Sequence, residues 1–107
     1  MDLTKKKCVP CEGGIPPFTE KQAKDYLKQV KGWKLVGNKI ERSLAFEDFM
    51  QAVKFVNKVA DLAEEEQHHP DILLHSWNKM KLTVYTHVIN GLSENDFILA
   101  AKIDKLR

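Results

Sequence analysis

The 107-residue sequence lacks the features that mark several common classes of protein. No apolar run approaches the ~18 residues of a membrane-spanning helix, and the lysine-rich start lacks the apolar core of a signal peptide. An excess of one charge is also missing, because 17 basic residues face 15 acidic ones. We therefore expect one soluble domain, cytoplasmic or organellar after removal of a targeting sequence and not secreted, without membrane binding or direct nucleic-acid binding.

Cysteine is scarce, since Cys8 and Cys11 are the only two. They form a C-x-x-C pair in a Pro- and Gly-containing leader, residues 1–17, and no second pair of this kind follows. Such a pair could oxidise, provide half of a zinc site with histidines elsewhere, or remain reduced and non-catalytic. The lack of a strand-helix-strand pattern around the pair favours the last alternative.

The folded domain is predicted to span residues 18–107 and to begin with a helix followed by a hairpin. Thr19 and Gln22 form a capping-box pattern, and helical spacing of apolar residues continues until Gly32 stops it. Two short strands then flank a Gly-Asn turn. These strands span residues 33–36 and 39–44.

A second helix follows, with Glu47 and Asp48 placed favourably in its first turn. Helical periodicity predicts one apolar face along it. That face comprises Phe49, Ala52, Val53, Val56, Ala60 and Ala63.

The last third of the chain repeats the pattern of two strands and a helix. Residues 71–76 and 80–88 are predicted strands around a turn that begins at Trp77, whose ring we expect to pack on the core. The third helix opens at Ser93, with Asp96 at the capping-box position, where we interpret it as structural. The two positions of a hydrophobic staple are Leu92 and Phe97.

The resulting order of helix, strand, strand, helix, strand, strand, helix predicts an α+β domain. Hairpins favour antiparallel pairing, and three amphipathic helices are best buried together on one face of a four-stranded sheet, which gives two layers. Alternation along residues 80–88 puts Thr86 and Val88 on the core side and His87 on the polar side. Taken alone, a histidine there is most simply a solvated residue.

The stretch EEEQHHP at the end of the second helix is harder to explain as ordinary surface. Carboxylates at residues 64–66 oppose the helix dipole, and His68 and His69 could supply the compensating positive charge. That acidic setting favours imidazolium, which suits a group that donates a proton near neutral pH. Pro70 stops the helix and biases His69 toward extended geometry. The alternative is a charged, solvated helix end with two capping histidines.

A metal site is a third possibility, because the chain has enough histidines to form one. The four are His68, His69, His75 and His87. The sequence contains no H-x-x-x-H or H-E-x-x-H helix pair, and adjacent histidines rarely chelate one ion. We therefore expect no metal.

Several of these residues also stand at a specific spacing. They are Glu64, His68, His69, Pro70, Trp77, His87 and Asp96. In this spacing the chain resembles the pterin-4a-carbinolamine dehydratases over residues 18–106. The resemblance implies an antiparallel four-stranded sheet with three helices on one side. It also implies a hydro-lyase that converts 4a-hydroxytetrahydropterin into quinonoid dihydropterin and water during tetrahydropterin recycling, without a metal or an organic cofactor.

The resemblance assigns roles to individual residues. The catalytic residues it implies are His68, His69 and His87. The substrate-binding residues are Glu64, Pro70, Trp77 and Thr86. We assign acid and base work to His68 and His87 and binding and orientation of the substrate to His69. Glu64, one helical turn before His68, could orient or charge-stabilise that ring, and the alternative is a solvated carboxylate. Ile72 replaces an aromatic residue that many members carry, which puts the shape of the pocket wall in question.

A second class of function follows from the same resemblance. Animal members of the family also act as dimerisation cofactors of a homeodomain transcription factor, so the chain could be a protein-binding module. Members form homodimers or homotetramers, and the long second helix is a candidate interface. Intact histidines at all three positions favour the enzyme.

Overall fold

The computed structural model describes residues 2–9 and 15–107, which form three α-helices, four β-strands and two short 3₁₀ turns. The α-helices are α1 (Glu20–Leu27), α2 (Phe49–Glu66) and α3 (Glu94–Asp104). The strands are β1 (Lys34–Val36), β2 (Lys39–Ala45), β3 (Asp71–His75) and β4 (Lys79–Val84). The 3₁₀ turns are Leu3–Lys5 and His87–Ile89. No helix within the described ranges has both the length and the apolar character needed to cross a membrane.

The strands form one antiparallel sheet in the order β1-β2-β4-β3. Ile40 of β2 lies opposite Val84 of β4, and Leu82 of β4 lies opposite Ile72 of β3. Side chains from this sheet join residues of all three helices in a single apolar core. The predicted α+β class and the order of helices and strands are confirmed.

Local signals at the helix starts are confirmed in detail. Thr19 Oγ1 accepts from the Gln22 amide at 3.2 Å and Gln22 Oε1 accepts from the Thr19 amide at 2.9 Å, so both halves of the capping box form. α1 nevertheless ends at Leu27, before Gly32, because the chain continues in 3₁₀-type turns such as the bond from the Val30 amide to the Leu27 carbonyl.

The predicted apolar face of α2 is wrong in part. Phe49 is 51% exposed and Ala60 is also exposed, whereas the inward positions run at intervals of three or four residues. They are Ala52, Phe55, Val59, Ala63 and Glu66. Asp48 lies just outside the helix as its N-cap and accepts from the Gln51 amide at 2.7 Å.

β4 ends at Val84, four residues before the predicted end at Val88. The Thr86 amide donates to the Gly91 carbonyl at 2.8 Å, and the Gly91 amide donates back to Thr86, so the chain reverses direction. Strand alternation therefore stops, and Val88 is 63% exposed instead of lying on the core side. His87 lies on a 3₁₀ turn that follows the strand.

The turn between β3 and β4 also differs from the prediction. Ser76 and Trp77 both adopt left-handed backbone angles, with φ of 49° and 56°. The Trp77 side chain is 62% exposed, so the expected packing on the core is wrong.

A carboxylate accepts hydrogen bonds at each end of α3. Ser93 and Asp96 form the predicted capping box, with the staple residues Leu92 and Phe97 buried beside it. At the other end, Asp104 accepts from Trp33 Nε1 at 2.9 Å and from the Arg42 guanidinium. α3 is thereby held at both termini, which positions every side chain along it.

Residues 2–9 of the leader pack against the domain. Leu3 and Cys8 are 3% and 8% exposed and belong to the core. The division into a leader of residues 1–17 and a domain of residues 18–107 therefore separates segments that share one core. Cys11 lies outside the described residues.

Candidate active site

Three histidines from two separate parts of the chain line one cleft of about 220 Å³. His68 and His69 reach it from the end of α2, and His87 reaches it from the turn after β4. Among the described residues, the rest of the lining consists of Val9, Gln67, Thr86, Val88 and Asn95. Gln67 ends α2 in a left-handed conformation with φ of 55°, so the two histidines leave the helix axis in a new direction.

His68 is held by a fully buried carboxylate. Its Nε2 lies 2.6 Å from Oδ1 of Asp96, and the other carboxylate oxygen accepts from the Thr86 hydroxyl at 2.9 Å and the Ser93 amide at 2.8 Å. A carboxylate can only accept hydrogen bonds, so the proton between the two residues belongs to Nε2. Nδ1 is then the ring nitrogen left available for proton transfer.

The location of Asp96 on a helix explains how a buried carboxylate is tolerated. It lies in the first turn of α3, where free backbone amides and the helix dipole stabilise negative charge. The role predicted for Asp96 from the sequence is that of a helix cap alone. The structure gives it both tasks, since one oxygen completes the cap and the other holds His68.

Glu64 pairs with His69, and the expectation that it orients His68 is wrong. Glu64 Oε2 lies 2.5 Å from His69 Nε2, and both side chains are largely exposed. The left-handed cap between them turns His68 inward toward Asp96 and leaves His69 on the acidic side of the helix end. An exposed pair of this kind contributes about 0 to 1 kcal/mol to stability. The main effect of Glu64 is therefore to orient the His69 ring.

His87 is exposed and stacks on an aromatic neighbour. Its ring centroid lies 4.2 Å from that of Tyr85 with a tilt of 35°, and Lys39 Nζ lies 4.5 Å from the centre of the Tyr85 ring. The aromatic contact restricts the orientation of the imidazole without burying it. No role for Tyr85 is predicted from the sequence.

The other predicted site residues divide into two groups. Thr86 lines the cleft and donates to Asp96. Of the described residues, Pro70 and Trp77 lie outside the cleft lining, and Trp77 precedes β4 whereas His87 follows it. His75 contacts Ser76 at 3.1 Å in the same distant turn. Within residues 2–9 and 15–107, no three His, Cys, Asp or Glu side chains group as a metal site would require.

A larger groove of about 390 Å³ lies where the start of α1 meets the turn between β1 and β2. Of the described residues that line it, only Glu20 carries a titratable side chain. Proton-transfer chemistry therefore favours the smaller histidine cleft.

Cys8 is a buried free thiol near the cleft. Burial, with further contributions from the nearby Glu66 carboxylate, raises the pKa of the Cys8 thiol to about 12. The thiol is thus neutral at physiological pH and unsuited to act as a nucleophile.

Comparison with known proteins places this geometry in context. The model of the family "Pterin 4 alpha carbinolamine dehydratase" matches residues 16–106. A Rubrobacter xylanophilus protein, provisionally named pterin-4-alpha-carbinolamine dehydratase, is 45% identical over 98% of both chains. Pterin-4-alpha-carbinolamine dehydratase 2, mitochondrial, of Arabidopsis thaliana is 47% identical over 99% of this chain and 59% of its own. A solved structure of "transcriptional coactivator/pterin dehydratase" from Brucella melitensis has a TM-score of 0.78 and 33% identity, covering 84% of this chain and 97% of that one.

Proposed function

The chain belongs to the pterin 4 alpha carbinolamine dehydratase family of hydro-lyases, and on that premise we propose that it dehydrates 4a-hydroxytetrahydropterin by histidine acid-base catalysis. In this elimination the C4a–O bond and the N5–H bond break, a C4a=N5 double bond forms, and quinonoid dihydropterin and water leave. One group must protonate the departing hydroxyl and another must accept the N5 proton. The reaction would be one step in the recycling of tetrahydropterin, since its product, quinonoid dihydropterin, must still be reduced in a separate reaction.

We assign the two proton transfers to His68 and His87. The support is that both line one cleft while coming from different elements, so they can reach different atoms of one substrate. His68 is backed by Asp96, whose carboxylate accepts from Nε2 and so fixes the tautomer with the proton on that nitrogen. His87 is exposed on its turn and can exchange protons with solvent between turnovers.

His69 has a binding and orienting role in this proposal. Its Nε2 is occupied by Glu64, so its Nδ1 remains available to hold the pterin. Pro70 restricts the backbone of His69, and Thr86 supports Asp96 by a hydrogen bond. Neither needs to touch the substrate for these roles.

The convergence of three histidines on one cleft carries the proposal, and single substitutions test it. We expect His68→Ala and His87→Ala each to lower the catalysed rate by about 10² to 10⁴-fold, the usual contribution of a positioned acid or base. His75→Ala is the matched control, because His75 is the last residue of β3 and lies outside the lining of the histidine cleft. The assay is stopped-flow ultraviolet absorbance with freshly generated 4a-hydroxytetrahydrobiopterin, at several pH values.

Retained turnover in both cleft variants, with unchanged circular dichroism, would refute the assigned roles. A wild-type protein that is folded yet gives no acceleration would refute the dehydratase activity itself. In the second case a protein-binding role, in line with the name "transcriptional coactivator/pterin dehydratase" of the Brucella melitensis protein, becomes the stronger proposal.

We further propose that the chain acts as a homodimer or homotetramer. Phe49 and Met50 at the start of α2 are 51% and 61% exposed, which leaves apolar surface on the long helix that an additional subunit could cover. Sedimentation equilibrium of the purified protein tests this, and a monomer at micromolar concentration would exclude it.

A further inference from the structure

Residues 2–9 of the leader are attached to the domain by their own buried contacts. Leu3 and Cys8 lie in the core, and Lys6 Nζ pairs with Glu94 Oε2 at 2.9 Å. The Cys8 amide donates to Glu66 Oε1 at 2.9 Å, and the Glu66 side chain is 4% exposed. With these contacts in place, the next residue, Val9, lies at the edge of the histidine cleft.

Asn95 then fixes the last described residue of this segment from both sides. Its Oδ1 accepts from the Val9 amide at 3.0 Å, and its Nδ2 donates to the Val9 carbonyl at 2.6 Å. Both backbone groups of Val9 are therefore satisfied by one buried side chain. Asn95 is the neighbour of Asp96, so α3 holds the leader and His68 with consecutive residues.

The Val9 side chain is left 67% exposed even though its backbone is fixed, and it lines the cleft together with the histidines. Val88, another exposed valine, also lines this cleft. An apolar group held rigidly beside polar proton-transfer groups matches a flat heteroaromatic substrate, whose edges need hydrogen bonds and whose faces need apolar contact.

We propose that Val9 is a substrate-contacting residue, which packs on a face of the pterin ring, and that Asn95 is a positioning residue that acts through Val9. The inference rests on the proposed function, because it takes the histidine cleft as the pterin site. These roles make Val9, and with it the leader, part of the active site. They also explain why the backbone of an exposed valine is hydrogen-bonded on both sides by one buried side chain.

A purely structural role of the leader would affect stability and leave substrate affinity unchanged, so the test separates KM from kcat. Val9→Ala removes two methyl groups from the contact and is expected to raise KM about 5-fold with little change in kcat, since the contact is made equally in substrate and transition state. Val9→Ile should keep KM near the wild-type value. Val36→Ala, at a valine of β1 that is 44% exposed and outside the cleft lining, is the matched control.

A double-mutant cycle tests whether Asn95 acts through Val9. Asn95→Ala should raise KM by a similar factor, and adding Val9→Ala should raise it little further, because an unclamped valine no longer contacts the ring. Additive effects would overturn the positioning role of Asn95. Thermal melting of each variant confirms that it is folded.

Equilibrium titration with 7,8-dihydrobiopterin, followed by fluorescence, separates this proposal from the proposed function. If the protein binds this pterin without catalysing dehydration, the proposed function fails, and the Kd of Val9→Ala still decides the role of Val9. A Kd about 5-fold weaker supports the contact. An active wild-type enzyme whose KM and Kd are both unchanged by Val9→Ala overturns it.

Discussion

Replacing Asp96 by asparagine separates its two tasks, because the substitution preserves size and removes charge. Oδ2 of Asp96 accepts from Thr86 and Ser93, whereas Oδ1 meets His68. An asparagine oriented with its oxygen at the Oδ2 position keeps the cap and the Thr86 bond. Its amide nitrogen then faces Nε2 of His68, and that ring nitrogen must become an acceptor.

The expected cost follows from this geometry. Replacing this hydrogen bond to a charged carboxylate by one between neutral groups at a buried site costs about 1 kcal/mol of unfolding free energy, the difference between the usual contributions of the two kinds of bond. The activity should fall further, by about 10² to 10⁴-fold in kcat, because His68 is forced into the tautomer with its proton on Nδ1 and loses its stabilising negative charge.

The assay combines urea unfolding with stopped-flow dehydration on the same samples. Asp104→Asn is the matched control, since Asp104 lies at the far end of the same helix and contacts Trp33 and Arg42 instead of the cleft. It should lose a comparable amount of stability while keeping kcat within about a factor of two, as expected of a change distant from the reacting groups.

The reasoning fails if Asp96→Asn retains wild-type kcat and an unchanged pH profile. It also fails if Asp104→Asn lowers kcat as strongly as Asp96→Asn, because the loss would then report general destabilisation of α3. A large activity loss confined to Asp96→Asn is the only result that supports an orienting carboxylate.

Two further predictions concern the buried titratable side chains of Cys8 and Glu66, which lie next to each other. With Cys11→Ser present, Cys8 should react with iodoacetamide at pH 8 far more slowly than a free cysteine, because burial raises its pKa to about 12, and rapid mass-spectrometric labelling would contradict this. Burial alone would raise the pKa of Glu66, but hydrogen bonds from Lys102 and the Cys8 amide outweigh it and hold this pKa below 4.5. The stabilising effect of the Glu66 carboxylate is therefore complete above pH 4.5 and is lost as the pH falls through the lowered pKa. Glu66→Gln should reduce the loss of unfolding free energy at acidic pH that urea titrations at several pH values measure. If the substitution leaves that loss unchanged, other carboxylates cause it.

The parts of the fold that were predictable are those determined by a few neighbouring residues. The capping boxes at Thr19 and Ser93 and the Gly-Asn hairpin turn depend on side chains within three positions of each other. Periodicity likewise identified α2 as a helix. It misplaced the buried face, because the inward direction depends on which side packs against α3, and Glu66 lies on that side.

The early end of β4 could not be read from the alternation of its residues. Apolar and polar residues continue to alternate through Val88, but the chain reverses direction at a bridge between Thr86 and Gly91. The Thr86 hydroxyl also hydrogen-bonds the Ser93 hydroxyl at the start of α3, a contact that exists only in the folded chain. His68 and His69 were singled out by the acidic helix end around them, and the resemblance added His87 and the catalytic roles. Their supports, Asp96 for His68 and Tyr85 for His87, depend on contacts that exist only in the folded chain.

One physical requirement links these features at the first turn of α3. A helix start leaves backbone amides without partners, and Asp96 satisfies the Ser93 amide while gaining stabilisation of its charge from the dipole. A carboxylate that is stabilised in this way can stay buried and hold His68 with its second oxygen. Asn95, one position earlier, faces the leader and fixes Val9. The start of α3 therefore also sets the spacing between His68 and Val9, so a shift of α3 would disturb both together.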